Sequence, residues 1–244
     1  MSTPFGTWVP SASRLADNAL RTEPPWSDRV TSGLCCRRLA PGQRAGSVVI
    51  VIRDVGGDPP VSPTVAVEAV RLARQLVEPL GRRWSHVQAV AARAGELSST
   101  VDPDERDVLV ASAWLHDIGY SPEIGHTRFH PLDGARYLSA SGWPPLVVNL
   151  VAHHSGARFE AKERGLSADL SAFPLPGEPM LDALALADLT TGPAGERLTY
   201  DDRIAEILRR YPEGDPVHQA WLTAAPVLRE SVQRAQARLA AGSA

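Results

Sequence analysis

The chain has 244 residues and a mass of 26.2 kDa, enough for one full domain with an extension and for an ordinary core that needs no disulfides or structural metal. Its 25 Lys+Arg against 28 Asp+Glu leave a formal net charge of −3, which excludes a basic field that would draw in nucleic acid or an anionic membrane and favours a small substrate. The two cysteines, Cys35 and Cys36, are neighbours and close no useful loop, no apolar run approaches the roughly 20 residues of a membrane span, and no signal-like segment opens the chain, so a cytoplasmic location is expected.

Residues 1–63 are rich in Pro, Gly, Ser and Arg and read as an irregular N-terminal extension. Within it, Ser47 to Arg53 is β-branched and bounded by glycines, and would suit a lone strand with nothing obvious to pair with. The extension is either an appended arm or translated sequence upstream of the natural start. From residue 64 to about 240 the pattern is helical. Val65 to Leu80 is amphipathic and stops at Gly81, and Ser85 is positioned to cap a second helix from His86 to about Leu97. A third has a full start signal in Asp102, Pro103 and Glu105, and runs through Val108, Leu109 and Trp114 to His116-Asp117, with Gly119 ending it.

Further helices are expected from Pro131 to Leu138, closing at Gly142, and from Pro144-Pro145 to His153-His154, closing at Gly156. After a Pro-rich loop, Met180 to Leu189 is strongly apolar and carries Asp188. Thr199 can cap a helix from Tyr200 to Arg210, and the last runs from about Val217 to Leu239. Nothing after Val65 alternates with period two, so the expected fold class is all-α.

The chemistry concentrates at helix ends. His116-Asp117 falls where an apolar helix runs out, and Asp188 lies in Leu184-Ala-Leu-Ala-Asp-Leu189, where five of six residues are apolar. An isolated buried carboxylate is costly, and coordination to a cation is one of the few ways to offset the cost. Taken singly, either aspartate reads equally well as a cap or as a salt-bridged core carboxylate. Six of the seven histidines lie between His86 and His154, and imidazole with carboxylate oxygen suits a transition metal rather than an all-oxygen calcium cage.

His86, then His116-Asp117, then Asp188 resembles the H…HD…D signature of the HD superfamily of metal-dependent phosphohydrolases, over roughly Val65 to Tyr211. The resemblance implies an HD-type helical bundle in which His86, His116, Asp117 and Asp188 hold a divalent ion (manganese, iron, zinc, nickel or cobalt). Asp117 would also be the catalytic ligand and a proton acceptor. His130-Pro131 with Gly134-Ala135, and the pair His153-His154, resemble the two-metal branch that includes the HD-GYP proteins and the HD-fold di-iron oxygenases. There Asp117 would bridge two ions and His130 with His153 or His154 would complete the second site; His126 is a weaker candidate.

The chain departs from HD-GYP proteins in reading Ser155-Gly-Ala-Arg158 after the histidine pair, without an acidic residue or a Gly-Tyr-Pro segment, and in carrying Tyr120 where they commonly place lysine. A cyclic dinucleotide is therefore a poor substrate choice. The resemblance implies hydrolysis of a small phosphoester, a nucleotide being the modal choice, by a water that the metal acidifies toward neutral pH. Arg158, Lys162 and Arg128 are the candidate phosphate-binding residues, each also readable as a solvated surface charge. Two other functions fit the same residues: a di-iron oxygenase acting on an organophosphonate or polyol, and a non-catalytic module that binds a nucleotide and signals. Oligomeric state leaves no trace in the sequence.

Overall fold

In the computed structural model, residues 64–242 are described; the leader, including the strand expected at Ser47 to Arg53, lies outside the described residues. Ten α-helices follow one another: α1 Val65–Val77, α2 Arg82–Glu96, α3 Arg106–Leu115, α4 His130–Ala140, α5 Pro145–His153, α6 Ala157–Glu163, α7 Ser167–Leu170, α8 Glu178–Leu189, α9 Tyr200–Arg210 and α10 Pro216–Gly242. Among the described residues there is no strand, only an isolated bridge between Thr191 and Arg197, so the all-α expectation holds. No helix among them is long and apolar enough to cross a membrane.

Several starts and stops follow local chemistry. The Asp102 side chain accepts from the Asp104 N–H at 3.0 Å, and Thr199 accepts from the Asp202 N–H at 3.1 Å, each satisfying a donor that a helix N-terminus leaves free. Several boundaries differ from expectation by a few residues, and two differences bear on the site. The helix bearing His86 begins at Arg82, three residues before the expected cap Ser85, because Gly81 at φ 62 turns the chain and α2 starts directly after it. Beyond Gly156 the chain resumes as α6 and α7, short helices that the sequence pattern did not separate from loop.

The core is built around α3 and α8. α3 packs between α1 and α2 and also meets α5 and α8, while α8 lies against α2, α3, α5 and α10. Every residue from Ala183 to Leu189 on α8 is buried, including Asp188, and the Leu184, Leu186 and Leu189 side chains pack with Leu109 of α3 and Leu150 of α5. Each such leucine contributes about 1.5–3 kcal/mol by leaving water. α4 packs on α5 and on the turn after α3, which brings His130 beside Asp117.

Candidate metal centre

Two buried aspartates sit on α8, six residues apart, and their surroundings separate them. Asp182, 1% exposed, receives Arg234 Nε at 2.8 Å and Nη2 at 2.7 Å, and Arg238 Nη1 at 2.8 Å, so α10 neutralises it completely. Asp188 has no such partner. Its Oδ2 accepts the Ser155 hydroxyl, but its Oδ1 is buried without a hydrogen-bond donor. His86 Nε2 lies 3.0 Å from that oxygen. The His86 Nδ1 is 3.0 Å from the Gly192 carbonyl and must donate to it, so a neutral ring turns a lone pair toward Asp188.

The same arrangement recurs at two other histidines. His116 Nδ1 donates to the Ala113 carbonyl at 2.7 Å, and His154 Nδ1 to the Val151 carbonyl at 2.7 Å. With that proton on Nδ1, the neutral ring carries its lone pair on Nε2, the tautomer and second hydrogen bond that metal-binding histidines ordinarily show. His116 Nε2 is buried with no donor, 3.6 Å from Asp117 Oδ1 and 4.0 Å from Asp188 Oδ1. Lone pairs facing carboxylate oxygens across these gaps are mutually repulsive unless a positive charge lies among them. The donor set fits a transition-metal ion.

Two groups of metal-competent atoms emerge, His86 with His116 and Asp117, and Asp117 with His130 and His154. Asp117 belongs to both. His130 Nε2 is 3.3 Å from Asp117 Oδ1 and 3.1 Å from His154 Nε2. Asp117 is held from outside as well, since Arg83 Nη1 reaches its Oδ2 at 2.5 Å. The Arg83 guanidinium lies 3.4 Å from the centre of the Tyr120 ring, whose other face stacks on His130 at 3.9 Å.

The electrostatics match an attraction for cations. Burial opposes charge on Asp117, yet His116, Arg83 and His130 outweigh it and hold the carboxyl far below the usual carboxylate range. Burial likewise opposes charge on Asp188, where the closeness of His86 and the field of His116 prevail and push it well below its ordinary value. His130 and His154 are also pushed below the ordinary histidine value, burial being the largest cause and at His130 outweighing the opposing pull of Asp117, so both rings stay neutral and able to ligate.

Of the residues singled out in the sequence, the fold brings together His86, His116, Asp117, Asp188, His130 and His154. His153 is not among them. It lies at the last position of α5, donates from Nε2 to the Phe173 carbonyl at 2.8 Å, and borders a separate cavity with Arg158. The chain turns sharply after it, with Ser155 at φ 45, and only His154 swings inward. His154→Ala is accordingly expected to lower bound metal, and His153→Ala to leave it unchanged, as measured by elemental analysis of the purified proteins.

The candidate phosphate ligands are also displaced. Arg158 is exposed, with its guanidinium 4.9 Å from the Phe159 ring; Lys162 is exposed on α6; Arg128 is exposed at φ 62. None borders the metal cleft, Arg158 and Lys162 because Gly156 ends the turn carrying His154 and α6 leaves in a new direction. His126 is exposed, its backbone N–H donating to Asp133 at 3.1 Å. The cations bordering the cleft are instead Arg83, Arg203 and Arg210. Arg83 was legible as a residue one helical turn before His86; Arg203 and Arg210 lie seven apart on α9, beyond the last motif residue, and gave no local signal.

The cleft, open to solvent, spans about 720 Å³ and is lined by His86, Asp117, His130, His154 and Asp188 together with Phe159, Tyr211 and Trp221. A comparison with protein-family models matches residues 83–190 to the family described as HD domain. A search of curated proteins finds no match to the chain, and a search of solved structures finds none either. The matched segment contains His86, His116-Asp117 and Asp188, and the fold brings their side chains together: over residues 83–190, a little under half of its length, the chain matches the HD-domain family.

Proposed function

We propose that the protein is a metal-dependent phosphohydrolase acting on a small phosphoester, a nucleotide being the best fit. The HD-domain match supports this reading, since the resemblance implies metal-dependent phosphohydrolysis. The observation that carries the reading is the buried, donorless pair His116 Nε2 and Asp188 Oδ1, Asp188 itself lining a cleft bordered by arginines. His86, His116, Asp117 and Asp188 would hold one divalent ion, and Asp117, His130 and His154 a second. Such an ion supplies hydroxide at neutral pH by acidifying water.

The remaining work falls to the chain itself. Arg83, stacked on Tyr120 and bonded to Asp117, has its guanidinium plane set beside the ligands, where it matches the fork geometry of a phosphoryl group. Arg203, buried 4.0 Å from Asp188, adds positive field to the same end of the cleft. Phe159, Tyr211 and Trp221 offer flat apolar surface to a base or another ring on the leaving side.

The test is metal content of the protein as isolated, followed by a panel of phosphomonoesters, nucleotides and phosphodiesters. Release of phosphate or nucleoside that stops on chelation and returns with manganese, iron, zinc, nickel or cobalt is the expected result. A metal-loaded protein inert toward the whole panel would refute it. If that same protein consumes oxygen with an organophosphonate or polyol, the two-metal groups are serving oxygenase chemistry; nucleotide binding that survives metal removal without turnover would mark a signalling module.

A further inference from the structure

Beside the metal cleft, and sharing His86, Arg83, Arg203 and Arg210 with it, runs a second cleft of about 610 Å³. Its other borders are Arg82, Leu80 and Pro193, so four guanidiniums face one space and no carboxylate borders it. The arginines come from two elements. Arg82 and Arg83 open α2, whose first turn has no side-chain cap and points its positive end toward this space, while Arg203 and Arg210 stand on one side of α9.

Their existing partners, among them Asp188 at 4.0 Å from Arg203, are fewer than the four cations. Arg83 bonds Asp117, and one carboxylate, Glu206, serves both others, accepting Arg203 Nη1 at 2.7 Å and Arg210 Nε at 2.9 Å from a position outside either cleft. Arg203 is 8% exposed, yet its Nε is buried with no partner. Arg82 makes no ion pair with any described residue. A buried guanidinium N–H without an acceptor is costly, and four arginines lining one space beside the metal-ligand cluster fit an anion longer than one phosphate.

We propose that this cleft receives a second phosphate of the substrate, so that the preferred substrate is an organic diphosphate or triphosphate rather than a monophosphate. The proposal rests on the phosphohydrolase reading for the word substrate, but the anion subsite itself does not. Arg83 and Arg203, common to both clefts, would flank the phosphate nearest the metal ligands, and Arg82 with Arg210 would hold the next.

Binding and turnover test the two parts separately. In the first arm the full chain, stripped of metal, is titrated by calorimetry with methylphosphonate and with methylenediphosphonate. The diphosphonate is expected to bind at least about tenfold tighter, and the Arg82→Ala/Arg210→Ala double variant to lose that margin, two charge-assisted contacts being worth this much or more. Arg71→Ala, which removes an exposed cation on α1, is expected to keep it. Equal affinity for the two phosphonates, or a margin that survives the double variant, overturns the subsite.

In the second arm, kcat/KM is compared for a nucleoside monophosphate, diphosphate and triphosphate on the metal-loaded protein. The diphosphate or triphosphate is expected to lead by about tenfold or more, and the double variant to collapse that ratio. A lead for the monophosphate overturns the substrate assignment, even if the first arm succeeds because the cleft takes a separate regulatory anion. Failure to hydrolyse any of the three, with length-dependent binding intact, would count against the phosphohydrolase reading and leave the anion subsite standing.

Discussion

Replacing Asp117 by asparagine is expected to strip metal from the protein and lower phosphoester turnover by on the order of 10³-fold or more, the scale set by losing a metal-acidified nucleophile. The reason is that Asp117 alone belongs to both His/Asp groups, so one substitution disables the ligand set on each side. Asparagine keeps the shape and can still accept from Arg83, which reaches Oδ2 from outside the cluster, but it removes the charge that His116 and His130 face. Elemental analysis of the variant beside the wild type reads the result directly. Full metal occupancy in Asp117→Asn would show that these side chains do not share a cation, and the enzymatic reading would fall with it.

The second large effect is expected at Gly119→Ala, three residues from His116 and without any ligand of its own. A methyl group there would lie 2.0 Å from the His130 carbonyl oxygen and 2.8 Å from the Gly134 backbone nitrogen. Both are backbone atoms, so the clash is relieved only by pushing α4 away from the turn that carries Asp117. A shift of that kind costs about 3 kcal/mol or more and lowers the melting temperature by roughly 6–12 °C in a domain of this size. It also carries His130 away from Asp117 and His154, so metal at the second group should be lost in whatever fraction remains folded. A variant that melts within about 2 °C of the wild type, with its metal intact, would mean that the close approach of these backbones is not maintained in solution.

How far the site was readable from sequence depends on where each partner lies along the chain. His116-Asp117 and Asp188 were legible because both interrupt apolar helices, where an ionisable side chain has to be explained. The explanation itself was not local: Asp182 lies in an equally apolar setting on the same helix, and only the return of Arg234 and Arg238 on α10 makes it a plain salt bridge. The choice between His153 and His154 was likewise hidden, since neighbours on a helix point about 100° apart and the left-handed turn at Ser155 decides which faces in. Arg158, a candidate phosphate ligand four residues after His154, is taken off that line by the turn at Gly156, whose added Cβ would come within 2.9 Å of Leu228. The arginines of α9 reach the cleft through tertiary packing, for which periodicity within a helix holds no record.

The hydrogen bonds from His116 to Ala113 and from His154 to Val151 run from each imidazole to a carbonyl three residues earlier, at the C-terminal edge of α3 and α5 respectively. Carbonyls in that last turn have no amide from their own spiral to accept, so they are free to take a proton from a ring instead. The aim of both imidazoles is thus an inheritance from the way a helix stops. Lengthening either helix by a few residues would fill the carbonyl with a backbone amide, let the ring swivel, and unmake the ligand with its chemical identity untouched.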